Sequence, residues 1–120
     1  MKHALIIEDN AIIALMLREF LEGHGYDSVD LASTQAQAIK LAERRCPDLI
    51  TADDGLEHGS GVEAIRHICR DRAIPVIFIT ADPVDVDKTL PDALFLSKPF
   101  SEESLARAIQ AAEKAPVAFA

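Results

Sequence analysis

The chain has no apolar run long enough to cross a membrane. Its longest, Ala11 to Leu17, falls far short of the ~20 residues that a spanning helix needs. It has no secretory leader layout: a single lysine precedes an apolar run that Glu8 interrupts, which favours a cytoplasmic protein. It has no basic surplus. Twelve Lys and Arg stand against 20 Asp and Glu, and a net charge of −8 argues against a nucleic-acid surface, which needs a basic patch to displace counterions. Cysteine is scarce. Cys46 and Cys69 show no metal or redox spacing and read as reduced thiols. No internal repeat, low-complexity tract or interdomain linker breaks the 120 residues, so one domain over 1–120 with no output domain is expected. Met1 standing just before the first strand favours a free-standing protein.

What is present centres on Pro47 to Gly61. A short apolar run, Leu49-Ile50-Thr51-Ala52, ends in two carboxylates, Asp53 and Asp54, and a glycine-rich loop follows. A buried strand that delivers an acid to a loop at its carboxyl end is where open α/β sheets place their sites.

The flanking sequence reads as strands alternating with helices. Ala4 to Ile7 is an apolar run without alternation, which predicts a strand buried on both faces. Asn10 is placed to cap a helix running to about Glu22, with Ile12, Ile13, Met16, Phe20 and Leu21 on one face. Tyr26 to Leu31 suits a second strand. Thr34 and Gln37 fit a capping box for a second helix that buries Ala38, Ile39 and Ala42. Val62, Ile65, Ile68 and Cys69 mark a third helix, and Val76 to Ile79 a fourth strand that stops at Thr80. Ala93 to Leu96 predicts a fifth strand. Ser101 caps a last helix with Leu105, Ala108, Ile109 and Ala112 as its core stripe, and 115–120 reads as a frayed end.

This alternation predicts a doubly wound α/β fold: a parallel sheet, right-handed crossovers and helices on both faces. Topology alone then carries Glu8-Asp9, Asp53-Asp54, Thr80 and Lys98 to the carboxyl ends of four strands, along one sheet edge. Three carboxylates converging without a counter-charge repel one another. A few hard oxygen ligands completed by water suit Mg2+. A carboxylate can attack phosphorus to give an aspartyl phosphate, and that transfer needs mainly positioning and charge neutralisation. Lys98 and the Thr80 hydroxyl can serve the phosphoryl oxygens, and the Gly55 carbonyl can serve the metal.

These pieces resemble the receiver domain of two-component response regulators, of the single-domain CheY-like kind. The match rests on Glu8-Asp9, Pro47 to Asp53, Gly59-Ser60-Gly61, Thr80-Ala81, and Phe95 with Lys98-Pro99-Phe100, in that order along nearly the whole chain. The resemblance implies a five-stranded flavodoxin-like sheet of order 2-1-3-4-5. It implies phosphotransfer to Asp53 from the phosphohistidine of a sensor histidine kinase or histidine phosphotransfer protein. Glu8, Asp9, Asp53 and the Gly55 carbonyl would serve Mg2+; Thr80 and Phe95 would form a switch pair; Lys98-Pro99 is often cis. The face of the fourth helix, fifth strand and fifth helix would take a downstream protein or a second copy as a homodimer.

The sequence departs from that family at Asp54, usually apolar, and at Glu57, usually proline. The stretch from Thr80 to Lys98 is also short. Its composition predicts a fourth helix of one or two turns within Pro83 to Thr89. A Mg2+-dependent phosphohydrolase with an Asp nucleophile is the competing reading. It is disfavoured because Gly55 stands where many such enzymes carry a second Asp, and no cap domain is present. A receiver fragment of a larger regulator or hybrid kinase is the other alternative.

Overall fold

A computed structural model of the chain describes residues 2–53, 55–81 and 94–117. The expected fourth helix within 83–89 and Asp54 lie outside the described residues. The elements run β1 (His3–Ile7), α1 (Ala11–Glu22), β2 (Ser28–Ala32), α2 (Gln35–Arg44), β3 (Leu49–Asp53), α3 (Gly61–Ile68), β4 (Val76–Thr80), β5 (Leu94–Ser97) and α4 (Glu102–Lys114). The five strands form one parallel sheet of order β2-β1-β3-β4-β5. Among the described residues no helix is long and apolar enough to cross a membrane.

Strands β1, β3 and β4 are buried along their whole length, polar His3, Thr51, Asp53 and Thr80 included, and their apolar majority suits a sheet covered on both faces. Side chains alternate between the two faces. Leu5, Ile7, Ile50, Ala52, Val76 and Phe78 meet Ala38 of α2 and Val62, Ala64 and Ile65 of α3. Ala4, Ile6, Leu49, Ile77 and Ile79 meet Leu17 and Leu21 of α1 and Leu105, Ile109 and Ala112 of α4.

The expected helix starts hold, with two refinements. The Asn10 side chain accepts from the Ile12 and Ile13 amides, and Thr34 accepts from the Gln37 amide. The return half of that second box lands one residue early, because Gln37 Oε1 accepts from the Ser33 amide. Ser101 and Ser104 complete a full capping box on α4, with Ser104 in the place usually taken by Glu or Gln.

Three expectations need correction. The buried stripe of α1 is Ala14, Leu17 and Leu21, whereas Ile12 is 72% exposed and Leu15 and Met16 are 55% exposed. A helix apolar nearly all round offers more than one stripe, and small Ala14 lets α1 lie close to the sheet. The second strand starts at Ser28; Tyr26 is buried ahead of it, in the core beneath α1. The end of the chain is not frayed at Val117, which is buried and exchanges both backbone hydrogen bonds with Ile74 in an antiparallel bridge.

The amino end of the sheet holds a polar network that periodicity does not reveal. His3 is buried in β1, its ring between Ser28 Oγ at 2.9 Å and Asp30 Oδ2 at 3.1 Å. Arg45 donates to the same Ser28 oxygen, and the His3 amide donates to Asp48. These contacts tie β1 to β2 and to the approach to β3, far from the carboxyl edge.

Candidate functional site

Register brings the acids together. Ile7 pairs with Ala52, so Glu8, the residue after β1, lies beside Asp53, the last residue of β3. Thr80 pairs with Ser97, so Lys98 emerges beside the end of β4. The Lys98 ammonium donates to Glu8 Oε1 at 2.8 Å and to Asp53 Oδ2 at 3.1 Å. Glu8, Asp9 and Asp53 each place a carboxylate oxygen within 4.8 Å of the others, a grouping able to hold a metal ion.

A backbone amide donates to each of the three acids. Gly55 donates to Asp53 Oδ1 at 3.0 Å, Glu57 to Asp9 Oδ2 at 2.8 Å, and Asn10 to Glu8 Oε2 at 3.2 Å. The loop after β3 therefore wraps the acids with donors. Thr80 is buried at the end of β4, and its carbonyl accepts from the Lys98 amide at 2.8 Å. The Lys98-Pro99 peptide is cis.

Of the residues expected at the site, Glu8, Asp9, Asp53, Gly55 and Lys98 come together and Thr80 stands at the adjoining strand end. Phe95 does not join the cluster. Its ring stacks on Phe78, with centroids 5.4 Å apart, on the α2 and α3 face of the sheet. The Glu57 amide was not legible beforehand: a main-chain donor leaves no mark in side-chain chemistry.

The two buried acids divide the charge unequally. Burial, with help from Asp53, pushes Glu8 from the ordinary 4.5 up to about 7, against the opposing pull of Lys98. Burial pushes Asp53 upward as well, but the Gly55 amide, Glu8 and Lys98 outweigh it and hold Asp53 below the usual range. Burial works against the charge on Lys98; the two carboxylates overcome it and raise its pKa. The metal-free site therefore keeps Asp53 ionised while Glu8 holds a proton up to about neutral pH.

This predicts a pH dependence with a definite sign. Glu8 binds its proton more tightly folded than unfolded, so its contribution to stability is complete below 4.5 and is lost as pH rises through about 7. Asp53, shifted the other way, loses its contribution only in acid, below its ordinary 3.8. Without divalent cations, the melting temperature of the wild type relative to Glu8→Gln should fall from pH 5 to pH 8. A difference that stays flat over that range would contradict the protonated Glu8.

Comparison with known proteins agrees with this geometry. Residues 4–110 match the family model of the response regulator receiver domain. The phyllosphere-induced regulator PhyR of Methylorubrum extorquens is 38% identical over 112 residues, covering 90% of this chain and 42% of the relative. The chain spans about half the length of the curated relatives it matches. The solution structure of the Erythrobacter litoralis PhyR receiver domain superposes with a TM-score of 0.79 at 30% identity, covering 92% of this chain and 88% of that one. The receiver domain of a Pseudomonas aeruginosa sensor histidine kinase superposes with a TM-score of 0.76 at 30% identity, covering 91% and 94%; that structure has a magnesium ion coordinated in its active-site cleft. With this sheet order, this acidic edge and a family match over most of its length, the chain belongs to the receiver domains of two-component response regulators.

Proposed function

We propose that this chain is a phosphorylatable signalling switch that accepts a phosphoryl group on Asp53 in a Mg2+-dependent reaction. The donor is the phosphohistidine of a sensor histidine kinase or histidine phosphotransfer protein, and the output is contact with a downstream protein. The observation that carries this reading is the Lys98 ammonium bridging Glu8 and Asp53 beside Asp9.

The three carboxylates suit a hard divalent cation by donor type and by spacing. Glu8, Asp9 and Asp53, with the Gly55 carbonyl, would hold Mg2+, which neutralises phosphoryl charge when bound. The chain's own groups do the rest. Asp53, kept ionised, supplies the attacking oxygen; the P–N bond to the donor imidazole breaks as the P–O bond to Asp53 forms. Lys98 then shifts from the Asp53 carboxylate to a phosphoryl oxygen. The Thr80 hydroxyl donates to another, and Phe95 follows by leaving its stack on Phe78. The donor leaves with its imidazole free, and hydrolysis of the aspartyl phosphate later returns phosphate and resets Asp53. The chemistry is confined to the chain's own phosphorylation and dephosphorylation, which is that of a switch rather than of an enzyme with turnover of an external substrate.

Protein contact is supported by α1. Ile12, Leu15 and Met16 stay exposed on the helix that begins immediately after Asp9, beside the site. With a net charge of −8, neither a nucleic acid nor an anionic membrane is favoured as partner, which fits a cytoplasmic setting.

Incubation with acetyl phosphate tests the reading. Acid-labile phosphate should appear with Mg2+ and be absent in EDTA; labelling indifferent to the cation would overturn it. Mg2+ should also stabilise the fold, since it relieves repulsion among acids that only the folded chain gathers. At a hundred times its dissociation constant the gain is about 2.7 kcal/mol. Asp9→Ala should remove most of that gain. A melting temperature unmoved by millimolar Mg2+ at constant ionic strength would count against the site.

A further inference from the structure

We propose that Gln35, the first residue of α2, is a positioning residue for the acidic site and acts on Asp9 through the 57–60 loop. This rests on the reading of the acids as a Mg2+ site.

The loop is fastened at both ends. On the site side, Gly55 donates to Asp53 and Glu57 donates to Asp9. On the far side, both polar groups that hold it belong to Gln35. The Gln35 amide donates to the His58 carbonyl at 3.3 Å, and Gln35 Oε1 accepts from the Ser60 amide at 2.9 Å. Between them Gly59 adopts a φ of +93°, and a Cβ placed there would lie 2.5 Å from Gln35 Cβ. The loop backbone thus lies directly on the Gln35 side chain, with no room for another residue between.

The Glu57 amide is one residue from His58, so its position follows from where Gln35 holds the loop. Among the described residues that amide donates to Asp9 Oδ2. Asp9 is the acid of the three that Lys98 does not touch; the ammonium reaches Glu8 and Asp53. The donor that orients it is the loop amide. Release of the loop would leave Asp9 free to swing away from the crowded acidic cluster, where the Asp53 charge repels it. Groups that orient a ligand in this way commonly change metal affinity by 10- to 100-fold when removed.

Calorimetric titration of Mg2+ into the full chain tests this. Gln35→Met removes the acceptor while keeping length, and should raise the Mg2+ dissociation constant about tenfold, the low end for an outer partner. Glu57→Pro restores the residue usual in the family but removes the N–H that this chain sets on Asp9 in its place, and should raise it by a similar factor. If Gln35 acts through that amide, the double variant shows no further increase. Gln35→Glu keeps an acceptor at the same reach and should bind at least as tightly as wild type. Gln37→Met loosens the start of α2 without touching the loop; it should lower the melting temperature and leave the dissociation constant unchanged. Should Gln35→Met not fold, Gln35→Asn, too short to reach Ser60, replaces it. An unchanged dissociation constant in Gln35→Met, or multiplication of the two effects in the double variant, overturns the proposal. Failure of the wild type to bind Mg2+ would instead overturn the reading of the site, and this inference with it.

Discussion

Asp53→Asn is expected to reduce acid-labile phosphate incorporation to background, with acetyl phosphate or with a phosphohistidine donor. The substitution keeps the size of the side chain and a carbonyl oxygen for the Gly55 amide. It removes the charge that makes the oxygen a nucleophile. It also changes Glu8 in a readable way. Asp53 helps to raise Glu8, so neutralising it lets Glu8 fall back toward the ordinary carboxylate range. The variant should therefore fold and lose part of the decline in stability between pH 5 and 8 that Glu8 imposes on the wild type. Undiminished labelling of Asp53→Asn would place the acceptor elsewhere.

Lys98→Met carries the second large effect, on stability. The side chains of Glu8, Asp53 and Lys98 are 2%, 12% and 18% exposed, so the ammonium is shielded from bulk solvent along with its partners. Removing one partner from such a group leaves uncompensated charge, a loss of about 3 kcal/mol in favourable cases. The cost depends on pH because Glu8 can escape it by holding its proton. Lys98 opposes the rise of Glu8, so without it Glu8 holds its proton to higher pH than in the wild type. The loss is therefore smaller at pH 6, where Lys98 faces Asp53 alone, than at pH 8.5, where the wild type sets it against two ionised acids. Mg2+ restores a positive charge at the same place, so it should stabilise Lys98→Met more than it stabilises the wild type. Denaturant melts at pH 6 and pH 8.5, with and without Mg2+, check both points. An equal loss at the two pH values would mean that Lys98 contributes packing rather than charge.

The candidate site was legible because its acids and its lysine sit where strands end. Glu8 and Asp53 are the first acids after the largely apolar stretches that Ile7 and Ala52 close, and parallel topology puts them on one edge. Cap residues were equally legible, since Asn10, Thr34 and Ser101 have few other uses ahead of apolar periods. The α1 face was misjudged because Ile12 and Met16 match the helical period as well as Leu17 and Leu21 do. Only the sheet decides between the two stripes. The Val117 bridge to Ile74 depends on a partner 43 residues away and on main-chain groups that carry no side-chain signal. The same holds for the Glu57 amide on Asp9 and for Gln35 beneath Gly59: each sets a main-chain group against a side chain distant in sequence, and the main-chain half carries no signal.

The central claim is that Asp53 takes the phosphoryl group, and borohydride trapping addresses it most directly. An aspartyl phosphate is reduced to homoserine, and peptide mass spectrometry then identifies the position. After acetyl phosphate and Mg2+, the account predicts homoserine at position 53 alone, and none when EDTA is present. Homoserine at Asp9 or Asp54, or at Asp53 irrespective of the cation, would contradict it.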